Sequence, residues 1–274
     1  MPTRHLAMLT FALTPAGAAL ARGGADAHAL AGLRDFRAAS IDGPLVTDRP
    51  DFTESTLAVP LGRAQIEAGL TFTHDGTDAD SFGAPEALLR VGVLPGFELR
   101  IGAPGFAWED RGPGTERGLT DSSLGFKLEL GEQSGAAPSL AVIGQLSIPT
   151  GADAFTSDRA DPSAILAWAY DVGDTGWSIA GNAGVTFLED RGGDLSEEFS
   201  ASVALGAAVT GELGFFAEYF GFYRNGAASG PEHYFNTGLT WLVSNNAQLD
   251  FRVGAGLNGR SDSLFTGAGV SFRF

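Results

Sequence analysis

Charged side chains recur two residues apart within apolar stretches of this chain, as in Glu98 and Arg100, Lys127 and Glu129, and Asp250 and Arg252. In an extended backbone such spacing puts both partners on one face, where a carboxylate and a cation can pair. Acid–base or acyl-transfer chemistry would need more, namely a nucleophile within reach of a base. His233 is followed by Tyr234 and Phe235, so it lacks the serine two positions on that a membrane-barrel lipase would use. Glu109-Asp110 and Glu189-Asp190 have no partnering histidine beside them. Asp75, Asp78 and Asp80 lie near Gly76 and superficially resemble a calcium loop, but their spacing does not match one and the stretch reads as a solvated polar loop. Cysteine is absent, which removes thiolate nucleophiles, disulfides and thiolate metal sites. The expectation is a protein without enzyme activity, metal or cofactor, in which an outer-membrane lipase is the weakest alternative.

Charge and composition limit the partners. With 33 acidic and 17 basic residues the formal net charge is −16, which argues against nucleic-acid binding. The 39 glycines fit turns and close backbone approach better than a helical bundle. No stretch after residue 30 has the 18 or more apolar residues of a membrane-spanning helix.

The chain divides into three parts. Residues 1–29 read as an export signal: Arg4, then the charge-free run Leu6 to Ala21, then small-x-small sites with cleavage after Ala21, Ala27 or Ala29. Residues 30–61 form an N-terminal periplasmic or plug segment. Residues 62–274 repeat one unit, about ten residues with apolar side chains at alternate positions followed by turn residues.

Twelve such units are expected, and the charges lie in the middle of their non-apolar faces. A soluble sheet would turn those charges outward to water. A membrane barrel faces its apolar side to lipid and its charges to a lumen. Ten residues tilted by about 40° rise roughly 25 Å, the height of the apolar band of such barrels. Links such as Leu94-Pro95-Gly96 and Thr210-Gly211-Glu212 are tight, whereas 103–118, 149–162 and 188–198 read as long loops on the opposite rim. The fold class is therefore all-β, a transmembrane antiparallel up-and-down β-barrel of about 12 strands.

Two sequence features resemble known families. Val270-x-Phe272-x-Phe274 resembles the C-terminal signal read by the barrel assembly machinery. Thr47-Asp48-Arg49-Pro50-Asp51-Phe52-Thr53-Glu54, followed by Gly62-Arg63-x-Gln65-Ile66-Glu67-x-Gly69, is similar to the start of the outer-membrane transporters named for the MetA pathway of phenol degradation. Leu89-Arg90-Val91-Gly92, Phe97-Glu98-Leu99-Arg100, Gly118-Leu119-Thr120-Asp121 and Ile148-Pro149-Thr150-Gly151 extend the likeness, over about residues 44 to 151. The resemblance implies an outer-membrane channel or transporter and leaves its solute open.

The inward parity supplies the candidate site. Glu67, Glu98, Lys127, Glu129, Asp250 and Arg252 are expected to form a lumen charge network, which the Thr47–Glu54 motif could join. Arg90 and Arg100 on one wall, facing Phe216, Phe220, Phe222 and Tyr234 on the other, are the expected path for a small amphipathic or aromatic solute. Interior packing by those rings is the plainer account. The expected setting is the Gram-negative outer membrane, with lipid, lipopolysaccharide, the assembly machinery and a small-molecule solute as partners. The alternative is a closed structural or adhesive barrel without transport.

Overall fold

A computed structural model describes residues 43–274 apart from 77–78, 111, 113, 190–194 and 225–229. The proposed export signal, and the part of the N-terminal segment before residue 43, lie outside the described residues. The described strands are β1 (Ala64–His74), β2 (Asp80–Leu94), β3 (Phe97–Ala103), β4 (Phe106–Asp110), β5 (Thr115–Leu119), β6 (Ser122–Gly131), β7 (Ser139–Ile148), β8 (Pro162–Asp171), β9 (Trp177–Glu189), β10 (Leu195–Ala208), β11 (Leu213–Arg224), β12 (Glu232–Ser244), β13 (Ala247–Gly256) and β14 (Leu264–Arg273). Among the described residues no helix is long and apolar enough to cross a membrane.

All pairings between these strands are antiparallel, and β1 pairs with both β2 and β14, so the sheet closes on itself. Closure leaves no strand edge, which meets the demand of a lipid environment that every backbone polar group be bonded. Strands β3 and β4 form one stave against β2, and β5 and β6 form the next. Their interruptions lie side by side, with Thr120 N–H donating to the Gly105 carbonyl at 2.8 Å. Pro104, which has no N–H, marks the break. Twelve staves result, as the alternation requires.

The stretch 103–118 departs from the sequence expectation of a long loop. Most of it is the β4–β5 hairpin, with Phe106 opposite Leu119 and Asp110 opposite Thr115. β2 likewise begins at Asp80, ahead of the apolar alternation that starts at Ala87. Hydrogen-bonded pairing continues past the point where apolar alternation stops, because the ladder needs only backbone groups. Alternation therefore marked the edge of the apolar band and missed the ends of the strands.

The two faces are opposite in kind. Along β13, Leu249 and Phe251 are 42% and 50% exposed, while Asp250 and Arg252 are 6% and 2% exposed. Large apolar residues face outward on staves all around the barrel, and the polar residues are sequestered inside.

Residues 43–63 contribute no strand to the wall. Leu45 N–H donates to Asn245 O at 2.8 Å in the β12–β13 turn, and Gly62 N–H to Gly92 O at 2.9 Å near the β2–β3 turn. Both ends thus lie at the rim that carries the C-terminus, where Ala64 N–H meets Phe274 O at 2.9 Å. Between them the segment runs into the barrel, and Thr47, Asp48, Arg49, Asp51, Thr53 and Glu54 are all buried there.

Candidate functional site

A segment with Pro44, Pro50 and Pro60 cannot sustain a β-ladder, so its buried backbone groups need other partners. Wall carboxylates supply them. Glu67 accepts from Asp48 N–H (2.9 Å) and Arg49 N–H (3.0 Å). Glu218 accepts from Phe52 N–H (2.8 Å) and Thr53 N–H (2.7 Å). Glu129 and Glu98 take the N–H groups of Ala58 and Val59, each at 2.7 Å. Wall cations and amides serve the carbonyls: Gln65 donates to Val46 O (2.8 Å), Arg90 to Leu57 O (2.9 Å) and Arg252 to Pro50 O (3.1 Å). Six staves, those of β1, β2, β3, β6, β11 and β13, meet through an intervening main chain.

Side-chain charges complete the contact. Asp48 sits among three cations, Arg100 at 2.5 Å, Lys127 at 2.7 Å and Arg90 at 3.1 Å. Burial alone would push its carboxyl up. The charges of Arg90, Lys127 and Arg100 outweigh that and hold it well below the usual carboxylate range. Glu54 binds Arg100 at 3.0 Å, and Arg90 is shared by Glu67 and Glu98, each at 2.8 Å. Arg49 reaches Asp250 and Glu86, each at 3.3 Å.

Arg49 lies over Gly69 of β1 and Gly269 of β14, which are paired across the seam. A Cβ at either glycine would overlap the Arg49 side chain. Gly269→Val is therefore expected to expel Arg49 and to lower the stability of the refolded protein by about 3 kcal/mol, read from its urea midpoint. A Gly269→Val midpoint equal to wild type would show that the glycine slot is not needed.

The placement of the sequence candidates is mixed. Glu67, Glu98, Lys127, Glu129, Asp250 and Arg252 all face the lumen, and each of them except Asp250 binds the segment's backbone directly. Lys127 and Asp250 bind its side chains, at Asp48 and Arg49. Arg90 and Arg100 are not on an open path facing the phenylalanines. They are 0% and 1% exposed and neutralised within the charge network. The four expected aromatic residues also separate. Phe216 packs with Ala207, whereas Phe220 and Tyr234 join Phe265, with Phe222 at the margin.

Phe52 brings the segment to this second group. Its ring stacks on Phe220 at 4.7 Å and meets Phe222 edge-on at 5.3 Å, while Phe220 stacks on Tyr234 at 4.9 Å. On the opposite wall Gln145, Ser147, Ser163, Thr186 and Ser200 retain partial exposure, whereas Ser178, Asn182 and Ser202 deeper in the barrel are buried. Sequence reasoning did not single out Phe52, Phe265 or the hub role of Asp48. The dense charge of Thr47–Glu54 was their one visible signal, and it names no partners.

The chain matches the family described as "Putative MetA-pathway of phenol degradation" over residues 47–274. The chain belongs to this family. The match takes in the inner segment from Thr47 together with every stave. No curated protein matches the chain. Among solved structures it is similar to an outer membrane channel from Pseudomonas putida F1, with 16% identity and a TM-score of 0.57 over 79% of this chain and 97% of that one. It is also similar to the KdgM porin, at 13% identity and a TM-score of 0.53 over 77% and 99%. The NanC porin aligns at 9% identity and 0.51 over 76% and 98%. At these identities the likeness is one of fold, that of outer-membrane β-barrels.

Among the described residues of this family member the weak lipase alternative finds no supporting geometry. The His233 ring bonds the Tyr219 hydroxyl at 2.6 Å, and Ser261 Oγ bonds the His233 backbone and not its ring. At the outer rim, burial and the charges of Glu232, Asp75 and Glu109 push Asp262 up to about 6. Among the described residues no cluster of three or more acidic or histidine side chains is arranged to hold a metal ion.

Proposed function

We propose that this outer-membrane barrel passes small solutes by passive diffusion and that residues 43–61 act as a plug governing that passage. The observation that carries the reading is how the lumen is filled. A barrel of about eight strands can be packed by side chains of its own wall, and twelve staves enclose a wider interior. Here the filling is a separate segment, held through hydrogen bonds and ion pairs that water can replace. The solved channels and porins of like fold support the reading. The solute class proposed is small and amphipathic or aromatic, entering past the polar inner wall of β7–β10 and the ring cluster at Phe52. Export by the N-terminal signal, residence in the Gram-negative outer membrane among lipid and lipopolysaccharide, and recognition of Val270, Phe272 and Phe274 by the assembly machinery belong to the same proposal.

A cross-link tests it. Thr53 Oγ1 lies 2.7 Å from Ser202 Oγ of β10, and the chain has no cysteine of its own. The pair Thr53→Cys and Ser202→Cys, oxidised, should fix the segment to the wall and suppress single-channel conductance in a planar bilayer. Reduction should restore it. Equal conductance before and after reduction would show that solutes bypass the segment. Silence of the reduced and the wild-type protein at all voltages would favour a closed structural or adhesive barrel.

A further inference from the structure

Phe52 is the one large aromatic ring that the inner segment places against the wall, and the wall meets it as a site meets a ligand. Phe220 offers a parallel face at 15° and Phe222 an edge at 85°. Behind Phe220, Tyr234 continues the stack at 13°, and Phe265 closes it edge-on. Phe220, Tyr234 and Phe265 are buried and form a fixed floor, while Phe52 and Phe222 keep part of their surface open. A stacked face beside a perpendicular edge is the geometry that selects a flat π-system over an aliphatic group of equal size.

The attachment of the segment is uneven. Its base, at Asp48, Arg49 and Glu54, is held by ion pairs to five wall residues. Its tip, residues 50–53, carries no ion pair to the wall among the described residues and is held by hydrogen bonds to Glu218, Arg252 and Ser202 and by the stack. The tip also carries a burden, since Asp51 is 1% exposed and neither of its carboxylate oxygens meets a donor from another residue. Burial, then the neighbouring charge of Glu218, push its carboxyl well above the ordinary range. Asp48 adds to this and Arg252 of β13 opposes it. Moving the tip out would return that carboxyl to water, which offsets part of the cost of breaking those hydrogen bonds. The tip is the part of the segment able to leave while the base stays.

We propose that the slot between Phe220 and Phe222 is a binding site for a planar aromatic ring of a solute, and that such a ring displaces Phe52 and frees residues 50–53. The site then couples solute binding to opening, because the ligand binds only the state in which the tip has left. This rests on the channel reading above and adds to it the ligand class and the moving part.

Two measurements separate the claims. Binding is read by 19F line broadening of 4-fluorobenzyl alcohol added to the protein in fluorine-free micelles. Phe52→Ala vacates the slot and should bind at least several-fold more tightly than wild type, and Phe220→Ala should bind no more than empty micelles. Equal broadening by all three proteins would overturn the site, whatever the conductance. Opening is read in a planar bilayer with benzyl alcohol, against cyclohexylmethanol as the saturated control. Benzyl alcohol should raise the wild-type open fraction several-fold and leave oxidised Thr53→Cys/Ser202→Cys unchanged, and cyclohexylmethanol should have little effect. A conducting wild type that responds equally to both alcohols would overturn the coupling while leaving the channel reading standing. A protein that binds the fluorinated probe as expected but never conducts would overturn the channel reading and leave the site.

Discussion

Asp48→Ala is expected to give the largest rise in conductance of any single substitution in this protein. The side chain is the shared counter-ion of Arg90, Arg100 and Lys127, and it also accepts from Ser55 N–H and Oγ at 3.1 and 2.7 Å. Breaking a buried ionic cluster from one side costs about 3–5 kcal/mol, because the remaining charges stay desolvated. Arg90 and Arg100 keep Glu67, Glu98 and Glu54. Lys127 keeps Glu54 at 4.0 Å, two neutral oxygens and the nearby charge of Glu98. Water entering the lumen is the least costly remedy, so the segment should yield before the wall does. The checks are single-channel conductance, several-fold above wild type, and faster protease cutting within residues 43–61 at an unchanged far-ultraviolet strand signal. If Asp48→Ala conducts like wild type and resists protease equally, the cluster does not hold the segment.

The second large effect is on pH dependence, through Asp51. Its carboxyl is raised in the closed state by burial first and by Glu218 second. A raised acid stabilises the closed state fully only below its value in water, about 3.9. As pH climbs past that point, the tip-out state gives up its proton while the tip-in state keeps it, so closure weakens. The weakening stops once the raised value is passed. Asp48 has the opposite sign, since its lowered carboxyl favours closure above the ordinary value and loses that contribution on strong acidification. Closure should therefore be tightest in mildly acidic solution, with the open fraction rising toward neutral pH. Asp51→Asn removes the titrating group but keeps its size, so its open fraction should stay low and flat across the rising limb. An Asp51→Asn channel with the wild-type profile would assign the limb to another group.

Much of the architecture was legible in the residues. Strict alternation, as in Leu249, Phe251 and Val253 against Asp250 and Arg252, fixes which face meets lipid. Lengths were less legible, because β2 and the β4–β5 hairpin extend beyond the apolar band on backbone pairing alone. The candidate site divides in the same way. Parity finds the inward charges correctly, since it depends on neighbours in sequence. It cannot find that Arg90 and Arg100 are also consumed by Asp48 and Glu54, because those two acids lie in a segment with no period of its own. For the same reason Phe216 and Phe220, alike in parity, fall into separate clusters.

The glycine pair beneath Arg49 bears on how the molecule is assembled. β1 and β14 are the sequence-distant partners whose pairing turns an open sheet into a cylinder, and contacts that distant close late. Arg49 rests on both, at Gly69 and Gly269, and reaches Asp250 on the next stave. It acts as a staple across the seam, so the closed cylinder and the seated segment stabilise each other.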